Sequence, residues 1–401
     1  SGTTSVVKDG PGLWRIAAAS SYTGSFTVKN GTLVAAVDSL ASADGAFGGS
    51  TSPIDVLIGD TASTAPGTAA LLLAAGVSTG KVMNVQAGGG SQAVILGGEG
   101  GAVDFQSTSS IDLGRPVTLV AGVGGTTSFS GQWSGTGGAG TSPTVNVSIG
   151  SPGNTGVVSI LRGLATSGSV GVGFGTLHLG STGTIAASGG PLGIAEGATL
   201  AGIGFVTGTL GGAGLVAPGN SPGILTAGAV TPTGGLDWAF EFTNAAPDYT
   251  NPSNSLNDIL RLTSTAASPF TTALTSANEI AVYLDVASLA DGNTFRGGFF
   301  TDLASDFTSS MADATYTYWV SGTGAGQTTY LTKTYVPLAS LYPSLSMDGT
   351  TASDTATFSG GSPTSGQVMQ FTVVVPEPGT LALAALGLGL AGYALRRRRA
   401  A

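Results

Sequence analysis

A chain of 401 residues with a mean hydropathy of +0.33 can bury one long domain or roughly two to three ordinary ones, so size does not limit its core. Glycine supplies 67 residues without collagen's three-residue period and charged residues only 9%, which excludes collagen and argues against a charge-rich disordered chain. Thirteen bases and 22 acids give −9; with the four terminal arginines and Glu377 set apart, nine bases and 21 acids leave −12 on residues 1–375, a poor partner for nucleic acid, and zero cysteines exclude disulfides, Cys-ligated zinc and a Cys nucleophile.

The opening SGTTSVVKDGPGLW has neither an initiator Met nor a signal peptide, as expected of a processed or truncated chain. From Ser1 to about Ala227, short alternating segments such as SFTVKNGTLVAAV, SIDLGRPVTLVAG and GTLHLGSTGTIAASGG are separated by glycine turns. Period-2 patterning at this density predicts an all-β fold. Turn signals recur about every 10 to 25 residues, the pattern of a β-solenoid whose coils bury their apolar faces by stacking. A β-sandwich is the competing arrangement, and it needs long-range pairing that near-repetitive segments do not require.

Two stretches carry a resemblance. Val6–Ala36, with Lys8, Gly10, Gly12, Tyr22, Gly24, Gly31, Thr32 and Leu33 in order, resembles the autotransporter-associated β-strand repeat. Gly214–Phe242 resembles the end of an autotransporter-type passenger repeat through PGNSPGILT at Pro218–Thr226, whose prolines and glycines make a plausible coil corner. The resemblance implies a right-handed β-helix with a structural or adhesive role at a cell surface. The solenoid is expected over 1–228.

Beyond it, LDWAFEF places Leu236, Trp238, Phe240 and Phe242 on one strand face and Asp237 and Glu241 on the other. Aromatic residues thicken through GNTFRGGFFTDLASDF and ATYTYWVSG, so 229–370 is predicted as a second β-rich region with larger side chains that caps the solenoid's open edge. A polar Gly/Ser/Thr stretch near its end separates this body from residues 371–401.

The tail is the most informative segment. Gly379–Leu395 is apolar, and as a helix it would run about 25 Å against a hydrocarbon core of roughly 30 Å, enough to cross a thin or locally thinned bilayer. Arg396, Arg397, Arg398 and Arg399 follow, and the positive-inside rule holds such a cluster in the cytoplasm and the body on the translocated side. A buried hairpin helix with a basic cap is the weaker alternative, because four adjacent like charges repel. The order Val375, Pro376, Glu377, Pro378, apolar span, arginines closely resembles the PEP-CTERM sorting signal of Gram-negative bacteria that make extracellular polysaccharide. That resemblance implies an exosortase as processing partner, a temporary membrane anchor formed by Leu381, Leu383, Leu386, Leu388, Leu390, Tyr393 and Leu395, and the four arginines as orientation and stop signal.

Signals for chemistry are weak. The single histidine, His178, alternates with buried-type Leu177 and Leu179 and reads as a strand-surface residue; no G-x-S-x-G elbow is expected in support of a Ser-His-Asp site. Asp237 and Glu241 stand about 13 Å apart along a strand, too far for a retaining glycosidase pair, and read as solvated strand-face charges. Asp302 and Asp306 read as an exposed acidic turn. GGEGGAVDF, Gly97–Phe105, matches a calcium-binding nonapeptide poorly, with Asp104 two places late and no repetition. Gly80-Lys81-Val82 lacks the Ser or Thr of a phosphate-binding loop. Tyr316 and Tyr318 share a face opposite Trp319, so at least one of these sets belongs to the core rather than to a sugar platform.

These readings lead to a secreted bacterial surface or matrix protein without catalytic, metal or cofactor residues, sorted by exosortase, with a structural or adhesive role in biofilm or exopolysaccharide organisation and extracellular polysaccharide as a candidate partner. The alternative is a β-helical polysaccharide lyase or glycosidase with the same tail. An autotransporter passenger with its own pore fits less well, because a single apolar segment stands where amphipathic barrel strands are needed.

Overall fold

The computed structural model describes residues 3–374 except 50–54, 62–66, 89–90, 107, 109, 136–144, 220–221, 233–234, 252, 254, 265–269, 287–288, 290–291, 304–306, 331–332, 343–345, 357 and 359–363. The tail from 375 onward, with Val375–Pro378, the anchor leucines, Tyr393 and Arg396–Arg399, lies outside the described residues.

Short strands follow one another around three faces, and from Val56–Ile58 to Val157–Ile160 each circuit adds one strand to each face. Ser110–Leu113 joins the six-stranded sheet, Val117–Ala121 the sixteen-stranded sheet and Thr126–Phe129 the twelve-stranded sheet. The next circuit repeats the order with Gln132–Gly135, Val147–Ile149 and Val157–Ile160, each parallel to its predecessor. The fold is all-β with large parallel sheets, consistent with a β-solenoid. Side-chain hydrogen bonds tie neighbouring coils together, as between Ser159 and His178, 19 residues apart, and between Asn146 and Ser169, 23 apart.

Alternation explains which side chains enter the core. Val28, Ile58, Val85 and Leu113 are in direct parallel register and at most 1% exposed, so a single inward column runs through successive coils. Phe105, Phe129, Ile160 and Leu179 form a second column, in which the two phenylalanine rings stack at 4.7 Å. Burying each such side chain is worth about 1.5–3 kcal/mol relative to exposure.

The corners need glycine where backbones meet. Gly31 has φ +78°, and a Cβ there would run into the carbonyl oxygens of Gly10 and Gly12 and sit 2.6 Å from Nζ of Lys8. Lys8 itself is fully buried, and its ammonium donates to the carbonyls of Gly10 at 2.6 Å and Asn30 at 2.8 Å.

The sheets continue across residue 228: Ile224–Thr231 pairs in parallel with Phe205–Gly212 before it and Ile259–Leu262 after it. What changes is the filling. Trp238, Phe240, Phe242, Phe299 and Phe371 are all fully buried, where the earlier coils use mostly Val, Leu and Ile. Parallel pairing then gives way to antiparallel closure. Thr294–Thr301 pairs antiparallel with Thr364–Val374, which pairs along its whole length with Ser346–Ala356. On the twelve-stranded sheet, Thr315–Ser321 pairs antiparallel with Lys333–Pro337, which forms a hairpin with Thr328–Tyr330. Among the described residues no helix is long and apolar enough to cross a membrane.

Candidate functional site

The corner PGNSPG connects Leu215–Pro218 on the twelve-stranded sheet to Ile224–Thr231 on the sixteen-stranded sheet, as a coil corner should. Gly219 to Gly223 spell G-x-S-x-G, which corrects the expectation that no such run occurs; the elements on either side are two strands, not the strand and helix of a nucleophile elbow, and Ser221 lies outside the described residues. Gly219 adopts φ +92°, with the carboxylate of Asp258 where its Cβ would stand. Asp258 is fully buried and accepts from the backbone N–H of Gly223 at 2.9 Å and of Glu241 at 2.7 Å. Burial pushes its carboxyl well above the ordinary range, against the lowering effect of those two bonds.

Glu241 overturns its sequence reading. Alternation directs it to the outer face as a solvated charge, yet it is 0% exposed. The hairpin Thr328–Pro337 folds over that outer face. Tyr335, also 0% exposed, donates its hydroxyl to Glu241 Oε1 at 2.8 Å, and Lys333 Nζ reaches the same oxygen at 2.5 Å. Lys333 also contacts Asp285 Oδ2 at 2.7 Å, while Ser321 donates to Asp285 Oδ1 at 2.5 Å. Burial alone would lower the Lys333 ammonium and raise Asp285, but their bonds outweigh it: Lys333 shifts up and Asp285 down. Tyr283 lies among these groups, stacked on Tyr330 at 4.1 Å, on Trp319 at 6.1 Å and edge-on to Tyr335 at 5.0 Å. Burial raises the phenols of Tyr335, Tyr330 and Tyr283.

Asp237 does not join this cluster. It accepts from the N–H of Glu279 at 2.7 Å, and burial raises its carboxyl. Asp302 is held by Arg261 through two bonds of 3.0 and 2.8 Å, and Asp306 lies outside the described residues. Asp104 accepts from Ser130 at 2.7 Å, and among the described residues no group of three or more His, Cys, Asp or Glu could hold a metal. Lys81 of the rejected phosphate motif is buried and donates to the Gly49 carbonyl at 3.0 Å.

His178 sits where alternation puts it, outside buried Leu177 and Leu179, with Nδ1 at 3.0 Å from Ser159 Oγ. It belongs to an outward row in register, Ser78, Asp104, Ser128, Ser159 and His178. Asp104 stands three strands from His178 in that row, so the three residue types of a triad share a face without converging. Tyr316 and Tyr318 stack at 6.2 Å and lie edge-on to core Phe371, while Trp319 turns the other way. A groove of about 430 Å³ beside them is lined by Tyr318, Trp319, Pro337, Leu338 and Met347.

Asp258, Asp285, Lys333 and Tyr335 were not legible as a unit. The one local signal is YLTKTY, where period 2 puts Lys333 and Tyr335 on one face; that this face covers Glu241, 92 and 94 residues earlier, is a tertiary fact.

No curated protein matches the chain. The family model of the PEP-CTERM protein-sorting motif matches residues 374–399, the tail alone, and this likeness implies secretion, recognition by an exosortase and processing or anchoring at the C-terminus, with the body outside the cell or on its surface.

Proposed function

We propose that the chain is a non-enzymatic extracellular scaffold: a stacked β-body delivered by the exosortase route, with a structural and adhesive role in exopolysaccharide or biofilm organisation. The observation that carries the reading is the sorting motif at 374–399, joined to a body of large parallel sheets. The resemblance of Val6–Ala36 and Pro218–Thr226 to autotransporter strand repeats supports the same role, and with it a right-handed β-helix anchored temporarily through the apolar tail. In the outward row, Ser78, Asp104, Ser128 and His178 are half-buried and supply hydroxyl and polar groups suited to polysaccharide hydroxyls, with the buried Ser159 holding His178 in place.

Two experiments test it. Deleting Val375–Pro378 should retain the full-length chain in the inner membrane; unchanged release of the body rules out exosortase processing. The released body incubated with acidic and neutral polysaccharides should bind at least one without altering it. New reducing ends or unsaturated products would replace the scaffold with an enzyme.

A further inference from the structure

Lys333, Asp285 and Glu241 form a constellation that neither sorting nor scaffolding uses. One amine nitrogen touches two carboxylates, Asp285 at 2.7 Å and Glu241 at 2.5 Å. The two acids differ in setting. The Glu241 side chain is 1% exposed and its position is fixed independently by the Tyr335 hydroxyl, whereas Asp285 and Lys333 are about one-third open at the outer side. Tyr283, Tyr330 and Tyr335 wall the inner side with rings.

We propose that Lys333 and Asp285 condense into an intramolecular isopeptide bond, with Glu241 as the catalytic proton carrier. The reacting species is the neutral pair, which differs from the ion pair only by transfer of one proton from Nζ to the Asp285 carboxylate. Nζ attacks Cγ of the carboxylic acid, and the C–N bond forms. Glu241 takes a proton from the nitrogen and delivers it to the departing hydroxyl, the C–O bond breaks, and water leaves through the open side. One amine and one carboxylic acid become one amide and one water, Glu241 ends as it began, and no oxidant or cofactor is required. The resting pair is ionic, since Lys333 is shifted up and Asp285 down. The reaction therefore draws on a minor species and is slow relative to folding. The product closes a loop between residues 48 apart in sequence and fastens the hairpin Thr328–Pro337 to the end of the strand Glu279–Leu284. In a chain with no cysteine it supplies the cross-link that a disulfide supplies elsewhere.

The test is the intact mass of the purified full chain under denaturing conditions, fresh and after prolonged incubation. The expected result is a species one water lighter than the sequence mass. Trypsin should leave the peptides carrying Asp285 and Lys333 joined, with cleavage after Lys333 blocked. Asp285→Asn should close with loss of ammonia instead of water, and Glu241→Gln should stay at full mass. Lys333→Arg keeps the cation as a folded control and should also stay at full mass. A wild-type chain that remains at full mass overturns the proposal, as does a water loss that persists in Lys333→Arg. Closure in Glu241→Gln removes Glu241 from the chemistry.

Discussion

The early coils bury basic side chains that donate and the late coils bury acidic side chains that accept. Lys8, Lys81 and Arg115 are at most 4% exposed, and each donates to backbone carbonyls: Lys8 to Gly10 and Asn30, Lys81 to Gly49, Arg115 to Gln86 at 2.6 Å and Asp60 at 2.8 Å. Asp258 and Glu241 are 0% exposed, and they accept from N–H, hydroxyl and ammonium donors. Whether a buried side chain donates or accepts follows the backbone. Corners in the first coils turn carbonyl oxygens inward, the PGNSPG corner turns an N–H inward, and a buried backbone group left alone costs as much as a lost hydrogen bond. Core filling differs too. Aliphatic columns suit near-identical coils, whereas Phe299, which meets the rings of Trp238, Phe240 and Phe270, joins segments of unequal length and direction.

The sharpest way to break this comparison is to truncate both cores. Phe299→Ala should cost about 4 kcal/mol and Leu177→Ala about 3 kcal/mol, read as shifts in urea midpoint at constant slope. A larger loss at Leu177 would mean that the aromatic end is not the tighter packing. Removing a buried acceptor comes next: Asp258→Ala strands the N–H groups of Gly223 and Glu241 and should cost about 3 kcal/mol. Unfolding that starts elsewhere and leaves the midpoint unchanged would show that this corner does not hold the coils together.

The pH dependence sharpens the same contrast. Because the folded Asp258 carboxyl is shifted up, its neutral form is favoured in the fold, and its contribution is present below the ordinary carboxylate pKa and lost as pH rises toward the raised value. Asp285, shifted down in the chain before closure, works oppositely: its contribution is present above the ordinary value and lost on acidification. Stability should therefore decline above the ordinary carboxylate range by up to about 1.4 kcal/mol per pH unit, and Asp258→Asn should flatten that slope in denaturation curves taken at several pH values. The smallest effect belongs to the exposed pair Arg15–Glu99 at 2.7 Å, where Arg15→Ala should shift the midpoint by less than about 0.5 kcal/mol.

Sequence patterning located what depends on neighbours along a strand. Leu177, Leu179, Leu236, Trp238, Phe240 and Phe242 are all buried on the side that alternation assigns. It mislocated Glu241, since alternation reports which sheet face a residue occupies and carries no information about a hairpin laid over that face from more than ninety residues away. The pairing of Tyr316 and Tyr318 against Phe371 was half legible: their shared face follows from spacing, whereas their partner comes from the antiparallel strand that closes the fold. Asp258 carries no signal in the sequence because its role depends on backbone donors, and every residue but proline carries one of those.

The strand Thr364–Val374 is bonded on both flanks, by Thr294–Thr301 and by Ser346–Ala356, and its last pair joins Val374 to Ser346. The sorting motif starts at that same residue. A cut just beyond it would therefore fall outside a finished hem: the body would lose its luggage label without dropping a stitch, and trimming would need no refolding on the far side of the membrane.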